Sequence, residues 1–224
     1  MERKISLEEI SDGKLYGSSD LVKADCGGCG GCSDCCRGMG SSIQLDPYDI
    51  YRMTEGLHMD FNRLMAGHIE LKVVDYVILP NLTMTKGREE CSFLNEEGRC
   101  TIHPFRPGFC RLFPMGRVYE GRTFRYFLQN HECSRENRTK VKVRKWIDTP
   151  DFGIYEKFVS DWHYFLRDLG EGLKDKGGQE LMKTMTMYVL KHFYVTPYDT
   201  GEGFYPQLYR RLEAARKFAA GQGL

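Results

Sequence analysis

Within the stretch KADCGGCGGCSDCCRGMG, five cysteines (Cys26, Cys29, Cys32, Cys35 and Cys36) stand in eleven residues with little but glycine between them. Such a run buries too little apolar surface to offset the entropy of ordering it. Thiolate bonds to a metal replace the missing packing: structural zinc in small peptide modules contributes about 10–16 kcal/mol to folding. Glycine then lets the backbone curl around the centre with its amides aimed at sulfur. Four more cysteines follow, Cys91, Cys100, Cys110 and Cys133, and none lies beyond them, so the chemistry is expected within residues 20–135.

Two registers fit the opening run. Cys26, Cys29, Cys32 and Cys36 match the C-x2-C-x2-C-x3-C spacing of bacterial ferredoxins, with Arg37 where proline usually follows. Cys29, Cys32, Cys35 and Cys36 form C-x2-C-x2-C-C instead. Spacing alone leaves both open.

The second register gains support downstream, where CSFLNEEGRCTIHPFRPGFCRLFP supplies Cys100, Ile102, Arg106, Pro107, Cys110, Arg111 and Pro114 as C-x-I-x3-R-P-x2-C-R-x2-P. Over residues 24–135 the chain resembles the CxxCxxCC (YkgJ-type) cysteine-cluster proteins, described as zinc- or iron-chelating, with flagellin lysine N-methylases as distant relatives. The resemblance implies a bound metal or iron-sulfur centre held by Cys29, Cys32, Cys35, Cys36, Cys91, Cys100, Cys110 and Cys133, with Cys26 extra to the pattern. Eight cysteines at four per centre make two centres. Neighbouring side chains of an extended segment point opposite ways, so Cys35 and Cys36 are expected to serve different ions. Arg106 and Arg111 flank Cys110 and are expected to stabilise an anionic thiolate centre; Arg37 and Arg99 also sit beside cysteines. His103 and His131 are secondary nitrogen donors.

Composition sets the context. The 224 residues are 41% hydrophobic and 28% charged, enough for one sizeable core. Lys and Arg total 32 against 31 acids, so net charge gives no argument for nucleic acid. A local basic run, SRENRTKVKVRKW, reads as a solvated helix face. The opening MERKISLEEI lacks a signal-like apolar core, and no apolar run is long enough to span a bilayer, so a cytoplasmic, non-membrane protein is expected. In that compartment thiols stay reduced and act as ligands rather than disulfides.

The elements that must position these thiols are short. Ser6 and Glu9 form a capping box opening a brief helix. Asp46-Pro47 caps a helix with Ile50, Met53 and Leu57 on one face, and Asp60 starts a second. Residues 71–79 read as a strand, paired with 82–85 across Pro80-Asn81. Asn95 to Gly98 turn a hairpin that brings Cys91 toward Cys100, and Glu120-Gly121 turn another. Helical periodicity takes over after about residue 139. A long amphipathic stretch opens at Thr149-Pro150 and closes at Gly170 and Gly172; helices around 181–189 and 206–220 follow. The expected fold is α+β: a metal-organised domain of short helices and hairpins over 1–148 and an α-helical extension over 149–224. Its expected role is a redox or electron-transfer protein with one or two iron-sulfur centres, 4Fe-4S foremost, and a protein redox partner. The alternatives are a zinc-stabilised non-catalytic interaction module and a protein-lysine N-methylase-like enzyme.

Overall fold

The computed structural model describes residues 7–27, 32–85, 87–130, 132–135 and 137–224. Two of the ligand candidates, Cys29 and His131, and the Ser6 cap lie outside the described residues.

The fold is mixed α+β with a helical C-terminal region. In chain order it comprises α1 (Leu7–Ile10), β1 (Leu21–Asp25), a 3-10 turn (Asp34–Cys36), α2 (Pro47–Leu57), α3 (Phe61–Met65), β2 (Ile69–Val74) and β3 (Val77–Leu82). A second 3-10 turn (His103–Phe105) precedes α4 (Gly108–Leu112), β4 (Met115–Glu120), β5 (Thr123–Leu128), β6 (Thr139–Lys142) and α5 (Val143–Ile147). Then come α6 (Phe152–Lys176), α7 (Gln179–Val189), a π-helical segment (Leu190–Val195) and α8 (Phe204–Gly221). The strands pair as three antiparallel ribbons, β1 with β6, β2 with β3 and β4 with β5.

Local chemistry accounts for the helix starts. Asp46 and Asp49 form a reciprocal capping box at α2, with Pro47 in the first turn. Asp60 accepts the Arg63 amide at α3. Aromatic packing joins the N-terminal half to the long helices: Tyr48 on α2 lies 5.8 Å from Tyr155 on α6 and 5.0 Å from Phe204 on α8, ring centre to ring centre. The buried cluster runs without a break from Val22 to Ala219 and includes Phe158 and Phe193, both fully buried. Each such large apolar side chain contributes about 1.5–3 kcal/mol by leaving water. Metal bonds are therefore not the sole source of order, since the thiol loop rests on a conventional core.

Several elements differ from the sequence reading. The first hairpin turns at Asp75-Tyr76, both at positive φ, and Pro80 and Asn81 lie inside β3. A two-residue turn of this kind favours glycine or asparagine, so Tyr76 gave no turn signal, while Pro80-Asn81 gave a false one. α6 continues through Gly170 and Gly172 to Lys176. These glycines mark close approach rather than termination: a Cβ on Gly170 would lie 2.5 Å from the Asp75 carbonyl oxygen. The basic run enters β6 before α5, because Val141 pairs with Val22 of β1, a strand hidden beside the cysteine loop. The other two hairpins form, with Gly121-Arg122 as the positive-φ pair of the second.

Candidate metal centre

Each cysteine-bearing segment is tied to its neighbours by ordinary backbone chemistry. Cys35 and Cys36 sit in the first 3-10 turn, whose end is joined to the 89–91 strand-like segment: the Cys91 amide donates to Cys36 O (2.8 Å), and the Gly38 amide donates to Glu89 O (2.9 Å). Arg37 forms an ion pair with Glu90 alongside. Cys100 returns toward Cys91 through the Asn95–Gly98 turn, in which the Asn95 side chain accepts the Arg99 amide at 2.7 Å and Leu94 bridges Cys100. Cys110 rides on α4, and α4 is held to α2 by the buried Asp49 carboxylate, which accepts the Gly108 amide at 2.7 Å.

These segments bring six cysteines, Cys32, Cys35, Cys36, Cys91, Cys100 and Cys110, around one cavity of about 100 Å³. Arg99, Arg106 and His103 complete its polar wall, with Leu82 and Ile102 among the apolar contributors. Cys91 and Cys100 thus meet as the hairpin reading expected. The vicinal pair departs from expectation. Cys35 and Cys36 lie in a turn of helical hand rather than an extended segment, and their sulfurs are 3.9 Å apart on the same cavity. A tight helical turn does not alternate side chains as a strand does.

Cys36 acts as the central thiol. Its hydrogen bond, aided by the Arg106 guanidinium, holds Cys35 down to about 7, and the same two neighbours hold Cys100 at about 7. Cys36 itself is pushed far up by Cys100 and Cys35, for the same reason in reverse. Burial raises Cys91 to about 11 and moves Cys110 and Cys32 upward as well. His103 is shifted down by burial and by the charges of Arg106, Arg111 and Arg99, which favours its neutral imidazole form.

The two motif arginines separate in role. Arg106 faces the thiols. Arg111 is buried with its donors taken by carbonyls, Nε to Arg106 O (3.0 Å) and the terminal nitrogens to Asp148 O (2.7 Å) and Pro104 O (2.8 Å). It therefore fastens the loop before α4 to the end of α5. Cys26 and Cys133 are half-buried and outside the cavity wall. The Cys133 segment is nonetheless tethered beside the first 3-10 turn, since Ser134 donates to the Asp34 carboxylate through its amide (2.9 Å) and hydroxyl (2.8 Å). Asp49 escaped the sequence reading as a site residue. Its capping pattern is visible locally, but its bond to Gly108 spans 59 positions and leaves no local trace.

Soft thiolates in this number select zinc or iron-sulfur centres over hard cations. Among the described residues no three His, Cys, Asp or Glu side chains are already arranged to hold a lone ion. The cavity exceeds the 10–15 Å³ that one water needs, by roughly sevenfold or more, so the thiol ring encloses room for a multi-atom group. The donor set and the space fit a thiolate-bound inorganic centre.

A ring of convergent thiols backed by guanidinium groups defines a metal-chelating cysteine cluster. A family model matches residues 28–139, and the chain belongs to that family, CxxCxxCC, described as a "putative zinc- or iron-chelating domain". No curated protein and no solved structure matches the chain. Among the described residues no helix is long and apolar enough to cross a membrane.

Proposed function

We propose that this protein holds an iron-sulfur centre, 4Fe-4S foremost, in the six-cysteine cavity and works in electron transfer or redox-linked chemistry with a protein partner. The observation that supports this reading is the convergence of six thiols from separate chain segments on one cavity with space for more than a single ion. Such a centre supplies one-electron chemistry when bound. The chain's own residues bind, shield and tune. Cys35 and Cys100, the thiols most readily deprotonated, are the first donors, and Cys36, Cys91, Cys110 and Cys32 complete the choice. Arg106 and Arg99 offset the negative charge that accumulates on clustered thiolates. Leu82 and Ile102, each 1% exposed, exclude water from the inner wall.

One observation favours a second reading, a zinc-stabilised module without catalysis. Zn–S bonds of 2.3 Å in tetrahedral array put sulfurs about 3.8 Å apart, close to the 3.9 Å between Cys35 and Cys36. Absorbance and elemental analysis of protein purified without air decide between the two. Brown protein containing iron and acid-labile sulfide supports the cluster; colourless protein with near-stoichiometric zinc supports the module.

A further inference from the structure

The β2–β3 ribbon has one covered edge and one open edge. On the covered side, the Leu82 amide donates to Ile43 O (3.0 Å), the Leu45 amide donates to Pro80 O (2.9 Å) and the Ile78 amide donates to Thr186 Oγ1 (3.3 Å). Those three bonds set the phase of the ribbon. In an antiparallel ladder the N–H and C=O of one residue point to the same side, and successive residues alternate. Ile78, Pro80 and Leu82 therefore face away from β2, and their register partners Val73, Leu71 and Ile69 face away from β3. The phase also explains Pro80, whose missing N–H falls outside the ladder.

Leu71 and Val73 thus present their backbone groups along the outer edge of β2, and among the described residues no other backbone group bonds them there. Their side chains are also bare, with Leu71 40% and Val73 67% exposed. An open apolar edge of this kind is a template for another strand.

The sequence along that edge is complementary to itself. We propose that two copies of this chain associate by antiparallel pairing of β2 with β2 about a two-fold axis at Leu71, forming a four-stranded sheet in the order β3, β2, β2, β3. In this register Leu71 meets the partner's Leu71 and Ile69 meets the partner's Val73, all of them residues whose backbone groups face outward. The central Leu71 pair gains two backbone hydrogen bonds; Ile69, 3% exposed, is covered within its own chain and adds to the seam only where that cover moves aside. Glu70 falls opposite the partner's Lys72, and Lys72 opposite the partner's Glu70. Within one chain these two side chains already lie 3.2 Å apart and partly in solvent, so the dimer closes them into a ring of four alternating charges.

Charge also fixes the register. Of the two nearest registers that keep outward-facing residues paired, one sets Glu70 against the partner's Glu70 and the other sets Lys72 against the partner's Lys72. Like charges directly opposite oppose pairing. A seam made by one strand from each copy is a small contact beside the roughly 2,000–5,000 Å² of permanent interfaces, so dimer formation depends on concentration.

Sedimentation velocity of the full, air-protected chain from about 1 to 200 μM tests this, because a self-associating species shifts with concentration by mass action. Wild type should move from monomer to dimer. Glu70→Lys and Lys72→Glu, each of which places like charges across the seam, should each weaken dimerisation at least tenfold with an unchanged far-UV circular dichroism spectrum. An equimolar mixture of the two variants restores opposite charges and should recover the dimer. Leu71→Pro, which removes the central outward amide without breaking an intrachain bond, should leave a folded monomer. Wild type that stays monomeric at every concentration, a dimer indifferent to both charge variants, or a mixture that fails to recover would each overturn the proposal.

Discussion

Asp49→Ala tests how the fold positions the thiols. Asp49 is 4% exposed, and its carboxylate accepts two amides, Gly108 at 2.7 Å and Asp46 at 3.0 Å. Removing it orphans two buried donors at about 1–3 kcal/mol each, or about 2–6 kcal/mol together. Part of that loss is offset at neutral pH. Burial raises the Asp49 carboxyl from 3.8 to about 6, so between those values the folded protein holds a proton there that the unfolded chain has released, and at neutral pH it carries a buried charge that alanine would remove. The stability linked to this group is therefore fully present below pH 3.8 and is lost as pH rises through about 6. At 1.36 kcal/mol per unit the full span is on the order of 3 kcal/mol, and it belongs to the Asp46–Asp49 pair, since Asp49 also pushes the Asp46 carboxyl up. The alanine variant removes one titration and relieves the other, so its deficit should be larger at pH 4.5 than at pH 7.5, by on the order of 2 kcal/mol. Urea unfolding of metal-free wild type and variant at both pH values measures this, since the titrations of Cys35 and Cys100 are common to the two and cancel in the difference. Metal content of the same variant, purified without air, should fall, because α4 loses the bond that seats Cys110. A deficit below about 0.5 kcal/mol at pH 4.5, or one that does not change with pH, would refute the assignment of Asp49 as the anchor of α4.

Three further outcomes are expected. Cys110→Ser and Cys32→Ser should each lower bound metal, measured by elemental analysis, whereas Cys26→Ser, outside the cavity wall, should retain most of it. His163 is half-buried, stacked 3.5 Å from the Tyr119 ring centre and pushed down by burial to about 4, so the part of the stability linked to this imidazole should be lost as pH drops from 6.5 toward 4, opposing the contribution of Asp49. His163→Phe keeps the stack and removes the titration, and its unfolding free energy should change over that window in a way that differs from wild type by on the order of 1 kcal/mol, after allowing for solvent screening. Gly170→Ala would drive a methyl against the Asp75 carbonyl and should cost about 1–3 kcal/mol in thermal or urea unfolding, with little effect on metal content.

The division between sequence and structure follows the range of the interactions. Caps at Asp46 and Asp60, the turn at Asn95–Gly98 and the inward stripe of Leu208, Leu212 and Ala215 on α8 were legible because each depends on residues within a turn or two of one another. The thiol inventory was legible for the same reason, since Cys35-Cys36 and the Cys100 to Cys110 motif are local patterns. Strands β1 and β6 were not, because a short strand is defined by a partner more than a hundred residues away. Gly170 misled because close packing and helix termination leave the same letter in a sequence.

By itself the sequence determined that many soft donors would cluster and that arginines would attend them, because donor type is a property of each residue. Only the tertiary structure decided that six thiols share one cavity, that Arg106 faces them while Arg111 serves the backbone, and that Cys35 and Cys36 turn to the same side. Those outcomes depend on which carbonyls, helices and turns arrive beside a side chain from distant positions, and no local pattern records that.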